Sequence, residues 1–136
     1  MKIYIAARFE TRGNLRPYRD QLWELGHEVV STWLDEVKQP PTMSQDIFWK
    51  KLALKDLAEI KAADLLVLDT FIGSERGGKE VEFGFALGQF QSKLVYIVGP
   101  IINVFHSLCD RQFDSWPEFI AAMHSDATPG PPSSAG

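Results

Sequence analysis

The apolar run Asp64-Leu65-Leu66-Val67-Leu68-Asp69 constrains the fold more than any other part of the chain. It is followed, after a short polar stretch, by Arg76-Gly77-Gly78-Lys79-Glu80-Val81-Glu82-Phe83-Gly84-Phe85-Ala86-Leu87. The run is too continuous to leave either face in water, so it reads as a buried strand of a parallel sheet. The glycine pair marks a turn, and the segment from Gly78 to Phe90 reads as a helix whose first turn carries carboxylates. A helix start offers unpaired N–H groups and the positive end of a dipole, which suits an anion. By that argument Glu80 or Glu82 stays ionised at neutral pH, as a nucleophile requires.

The rest of the chain alternates in the same way. Lys2 to Ala7 is a first strand. Asn14 caps a helix with Leu15, Tyr18, Leu22 and Leu25 on one face, Pro17 in its first turn and Gly26 at its end. Glu28 to Trp33 is a second strand, and Asp35 to Thr42, with Pro40-Pro41, is a loop. Ser44 caps a long helix reaching about Ala62, with Phe48, Leu52, Leu57 and Ile60 as its apolar face. Leu94 to Val98 is a fourth strand, Ile101 to Phe113 carries no readable period, and Trp116 to Met123 is a last helix capped by Ser115. This order predicts an α/β chain: a flavodoxin/Rossmann-like three-layer sandwich around a mostly parallel sheet of four to five strands. Residues 1–124 are expected to form one catalytic domain, and 125–136, rich in Pro, Ser and Gly, a disordered tail. Ligands of such folds sit beyond the carboxyl ends of the strands. Ala7 to Phe9 and Asp69 to Gly78 therefore border the expected crevice.

Composition removes several classes. The 136 residues are 45% hydrophobic and 24% charged, with a net charge of −4, which argues against a binder of polymeric nucleic acid. A single cysteine, Cys109, excludes an internal disulfide framework and suits a reducing compartment. No stretch has membrane-spanning length and Met1 to Ala7 carries no signal-peptide pattern, so a cytoplasmic location is expected. His27, His106 and His124 lack metal-ligand spacing, and no metal or cofactor is expected.

Several residues at the crevice can carry chemistry. Glu82 shares a helix face with Lys79, Phe85 and Ala86, whereas Glu80 lies about 200° round the helix, so one of the two faces the crevice and the other faces water. On spacing alone, Glu82 reads first as a helix-start carboxylate that only satisfies the dipole, and Asp56 first as a solvated helix charge. Asp69 either binds a polar ligand or caps a turn. Gly84 and Gly88, four apart, permit close packing of this helix. Arg8 and Arg76 follow the first and third strands, and two guanidinium groups at one crevice suit a phosphate. Gly73-Ser74-Glu75-Arg76-Gly77-Gly78 is neither a Walker motif nor GxGxxG; it marks a close approach of backbone to something.

Four segments in order resemble the nucleoside 2-deoxyribosyltransferase family, including its nucleotide N-glycosidase branch. They are Lys2-Ile3-Tyr4-Ile5-Ala6, Asp56-Leu57-Ala58-Glu59-Ile60, Ala63-Asp64-Leu65-Leu66-Val67-Leu68 and Val81-Glu82-Phe83-Gly84-Phe85-Ala86-Leu87. The resemblance spans residues 2 to about 106. It implies cleavage of the N-glycosidic bond of a (deoxy)nucleoside or its 5′-monophosphate through a covalent glycosyl ester, with transfer to another base or to water. It implies Glu82 as nucleophile, Asp56 as the acid that serves the leaving base, and Tyr4 as the residue orienting Glu82. Asn103 and Phe105 fall where family members lend residues to a neighbouring subunit, which implies a homodimer or higher homo-oligomer. Arg76 stands six residues before Glu82, where nucleoside-using members carry an Asp for the 5′-hydroxyl. An arginine suits a phosphate there, with Arg8, Gly77 and Gly78 beside it.

Two other functions stay open on the sequence. One is a phosphoribohydrolase that uses a Gly-Gly turn and a helix-borne Glu. The other is a non-catalytic nucleotide-sensing module on the same fold. A third and blander reading is an interaction domain that uses its aromatic surface.

Overall fold

Five strands form one all-parallel sheet in the order β2-β1-β3-β4-β5, in a computed structural model that describes residues 1–36, 42–73, 76–89 and 92–126. The strands are β1 (Lys2–Ala6), β2 (Glu28–Val29), β3 (Leu65–Asp69), β4 (Leu94–Val98) and β5 (Arg111–Phe113). Four helices accompany them: α1 (Arg12–Glu24), α2 (Gln45–Ala62), α3 (Gly78–Leu87) and α4 (Trp116–Asp126). Right-handed crossovers place α2 and α3 on one face of this strand order and α1 with α4 on the other. The expected three-layer α/β sandwich is thus present, with its sheet parallel throughout.

β1 and β3 run side by side at the centre, with Tyr4 opposite Leu66 and Ala6 opposite Leu68. Every residue of β3 is buried, as its unbroken apolar sequence requires. Tyr4 alternates with Ile3 and Ile5 along β1 and points to the face covered by α2 and α3, where Glu82 meets it. Fully buried Leu22, Phe119 and Met123 line the opposite layer. The strand order reverses between β1 and β3, so the crevice beyond their carboxyl ends lies at the sheet's switch point.

Helix ends follow local chemistry. Gly26, at φ 93°, closes α1 in a Schellman arrangement, with His27 N–H donating to Leu22 O and Gly26 N–H to Trp23 O, both at 3.0 Å. Ser44 caps α2 by accepting from Ile47 N–H, and Ser115 accepts from Glu118 N–H at the start of α4.

Several expectations need correction. α1 starts at Arg12 rather than after Asn14, with Thr11 as its N-cap and no side-chain cap bond, so Pro17 is the sixth helical residue and not in the first turn. β2 stops at Val29, and Trp33 belongs to a 3-10 turn (Thr32–Asp35) in which its indole N–H donates to Ile5 O at 2.7 Å. That bond draws the chain over the end of β1 and ends strand pairing. The unreadable segment holds a 3-10 turn (Val104–Leu108) and the short edge strand β5. Gly84 and Gly88 are exposed, so among the described residues this stripe packs against nothing. α3 ends at Leu87; Phe90, Pro40-Pro41 and the tail from 127 lie outside the described residues, and α4 extends two residues past 124.

Candidate active site

Glu82 is the fifth residue of α3, one turn beyond the helix start, and its side chain turns inward to β1. Tyr4 O–H donates to Glu82 Oε2 at 2.5 Å. A short bond of this kind, from a phenol fixed in a central strand, locks the carboxyl in one orientation. Burial, with the charges of Glu82 and Asp56 nearby, holds the Tyr4 hydroxyl far above the ordinary tyrosine range, so it remains a donor.

Glu82 does not stay ionised by virtue of the helix dipole, as its place near the start of α3 had suggested. Burial pushes its carboxyl up to about 8. The bond from Tyr4 opposes this, and the charges of Asp56, Glu36 and Glu59 reinforce it. The dipole's influence is confined to the first turn, and Glu82 lies past it. Asp56, on α2, is pushed up to about 7, again chiefly by burial; the Lys55 ammonium counteracts, and Glu36 and Glu59 add to the rise. Asp56 Oδ1 is buried, has no hydrogen-bond partner among the described residues, and lies 3.8 Å from Lys55 Nζ. Two carboxyls with raised pKa, one held by a phenol and one with a buried oxygen that has no hydrogen-bond partner among the described residues, can serve as an acid/base pair.

A second ring of polar residues surrounds this pair. Glu59 accepts from Thr32 N–H at 3.1 Å and from the Thr32 hydroxyl at 2.6 Å. Lys55 Nζ donates to Thr32 Oγ1 at 3.0 Å and also bonds Glu36. This network fastens α2 to the turn after β2 and sets the electrostatics of Asp56. Sequence reading missed Glu36, Lys55 and Glu59 as site residues. Only the four-residue spacing of Lys55 and Glu59 hinted at a pair, and a surface helix offers that spacing routinely.

Around the start of α3, Gly77 adopts φ 80° and acts as the N-cap, a conformation that suits glycine. Lys79 is buried, and its ammonium donates to Asp69 O at 2.8 Å and to Ile72 O, tying the loop after β3 to α3. Arg8 bonds Glu10, and the Arg76 guanidinium stands 5.9 Å from the centre of the Trp49 ring. Asp69 is a structural clamp: it accepts from Trp116 Nε1–H at 2.7 Å and Phe71 N–H at 2.9 Å.

Glu80 does not face open water. It binds His106 Nε2 at 2.7 Å and accepts from Asn103 Nδ2 at 3.2 Å, while His106 Nδ1 accepts from Ile102 N–H. Asn103 is therefore engaged within its own chain, where its Oδ1 also caps the turn at Phe105 and His106; Phe105 itself is exposed. Among the described residues no group of His, Cys, Asp and Glu is arranged to hold a metal, and no helix is long and apolar enough to cross a membrane.

No family model and no curated protein matches this chain. Solved structures do. A 2-deoxyribosyltransferase from Bacillus psychrosaccharolyticus, described as a biocatalyst for synthesis of nucleosides, superposes with a TM-score of 0.73 at 22% identity, over 96% of this chain and 98% of that one. A CMP N-glycosidase from Clostridium botulinum superposes at 0.57 with 18% identity, over 90% and 98%. A conserved protein from Enterococcus faecalis V583 superposes at 0.73 with 18% identity, over 93% and 98%. Over nearly its whole length, this chain has the fold on which that deoxyribosyltransferase and that CMP N-glycosidase are built.

Proposed function

We propose that the chain is an enzyme that cleaves the N-glycosidic bond of a (deoxy)nucleoside or its 5′-monophosphate, with Glu82 as nucleophile. The observation that carries this reading is the buried Tyr4–Glu82 hydrogen bond beside the raised Asp56 carboxyl. In the first step a Glu82 oxygen bonds to C1′ of the sugar, the C1′–N bond breaks, and the departing base nitrogen takes the Asp56 proton. In the second, water or another base attacks C1′, gives its proton to Asp56, and the ester to Glu82 breaks. Tyr4 keeps the attacking oxygen aimed, and the helix start with Arg8, Arg76, Gly77 and Gly78 receives the 5′ end of the substrate.

The fold shared with a deoxyribosyltransferase and a CMP N-glycosidase favours this reading over a phosphoribohydrolase. It also extends to a homo-oligomer. Exposed Ile47 and Leu54, on one side of α2, and exposed Val81 on α3 are apolar surface for such a contact, and exposed Val104 and Phe105 are the side chains a second copy would offer to the site.

The test is a panel of nucleosides and 5′-monophosphates, incubated with and without free base, with base release followed by chromatography. The parent is expected to release base and Glu82→Gln to lose at least a thousandfold in rate. Binding with no release by the parent would instead identify a sensing module. Faster release from ribonucleotides than from deoxyribonucleotides would identify a phosphoribohydrolase.

A further inference from the structure

Arg8 emerges from the carboxyl end of β1, and its Nε lies 3.0 Å from Glu10 Oε2. The arginine side chain is 26% exposed and the glutamate 65%, so a half-sunk cation is met from the solvent side by a carboxylate two residues away. Other cations of the crevice stand around this pair. The charge of Arg76 also acts on Glu10, and that of Arg8 acts on Lys79. Lys79 and Arg76 bracket Gly77-Gly78, where α3 begins. Two arginines and a helix start thus gather at one end of the crevice, with Glu10 placed among them, while the ammonium of buried Lys79 is committed to the carbonyls of Asp69 and Ile72.

We propose that Glu10 determines specificity, its carboxylate holding on Arg8 the position that a substrate's 5′-phosphate takes. This rests on reading the crevice as a nucleotide site. The guanidinium fork accepts a carboxylate or a phosphate with the same in-plane geometry, so the two compete for one donor set. Glu10 competes from two residues away, at the high effective concentration of a tethered group. A phosphate monoester carries nearly two charges at neutral pH and displaces it, but only after the Arg8–Glu10 pair opens. A nucleoside has no phosphate to seat and leaves the pair closed. Glu10 therefore narrows the preference for monophosphates that the surrounding cations create.

The experiment measures affinity for the four 2′-deoxynucleoside 5′-monophosphates and their nucleosides by calorimetry. The proteins are Glu82→Gln alone, to prevent turnover, and Glu82→Gln combined with Glu10→Gln or Arg8→Gln. Opening an exposed ion pair is worth up to about fivefold in affinity. Glu10→Gln is expected to raise the monophosphate-to-nucleoside affinity ratio by about three- to fivefold, and Arg8→Gln to lower it below that of the parent background. An unchanged or lower ratio in Glu10→Gln overturns the proposal, as does the lack of any preference for monophosphates in both proteins. Base release by the otherwise unaltered chain is measured in parallel. Release with an unmoved ratio defeats this inference alone; a moved ratio without release defeats the catalytic reading and leaves this one standing.

Discussion

In the proposed site, burial and the Tyr4 hydroxyl act in opposite directions on the Glu82 carboxyl. Burial favours the neutral acid, and the phenol favours the anion. Tyr4→Phe removes the second effect, so Glu82 rises further. The maximum of kcat/KM against pH is expected to move to higher pH, and kcat to fall about 10- to 100-fold. A maximum that stays in place would separate Tyr4 from Glu82. With Glu82 required as the anion and Asp56 as the acid, the parent profile is a bell whose maximum lies between about 7 and 8. Asp56→Asn should remove its alkaline limb. The raised carboxyls also cost stability. Between about pH 4.5, the ordinary value for Glu82, and about 8, its value in the fold, the native chain keeps a proton that the unfolded chain has lost. Stability is therefore full below that window and declines as pH rises through it, and Asp56 adds the same trend between about 3.8 and 7. Glu82→Gln cannot ionise and still accepts from Tyr4. By thermal denaturation it is expected to melt several degrees above the parent at pH 8, with the gap closing towards pH 5. A parent that is the more stable at pH 8 would contradict the burial assigned to Glu82.

At the level of elements, the first turn of α3 is held to two neighbouring segments. Lys79 binds the loop after β3, and Glu80 binds His106 in the turn after β4. His106 is buried and satisfied on both ring nitrogens, by Ile102 N–H on one side and Glu80 on the other. His106→Ala leaves those groups without their partner and should cost about 1–3 kcal/mol. It should also speed hydrogen exchange at the Ile102 amide; an amide that remains protected would mean the turn is held by something else. This pair was invisible in the sequence because its members lie 26 residues apart and neither belongs to a periodic pattern. β3 was legible because an unbroken apolar run admits few other environments, and the Ser44 and Ser115 caps were legible because capping is local. β5 was not, since three residues including Arg111 and Gln112 at a sheet edge carry no burial signal. Trp33 was misplaced in a strand because β propensity knows nothing of the indole's bond to Ile5 O.

For the whole molecule, the parallel sheet was readable from alternation, and the crevice was expected beyond the first and third strands, but the strand order and the composition of the site were not readable. Tyr4, Asp56 and Glu82 come from three elements, and only their resemblance to a family singled them out before their geometry was known. The helix-dipole argument for an ionised Glu82 failed because it counted distance along the helix and not depth in the protein. The exposed apolar side chains Ile47 and Leu54 of α2 and Val81 of α3 bear on assembly: sedimentation of the parent at micromolar concentration is expected to give a dimer or larger. Leu54→Glu combined with Val81→Glu should give a monomer, and a monomeric parent would contradict the assembly reading. The central claim is that a Glu82 oxygen becomes bonded to the sugar. The direct measurement uses a 2′-fluoroarabinosyl nucleoside and its 5′-monophosphate, whose fluorine slows breakdown of a glycosyl ester, followed by rapid quenching, proteolysis and mass spectrometry. The account predicts base release with the sugar attached to the peptide carrying Glu82; attachment to another carboxylate, or base release at the parent's rate by Glu82→Gln, would contradict it.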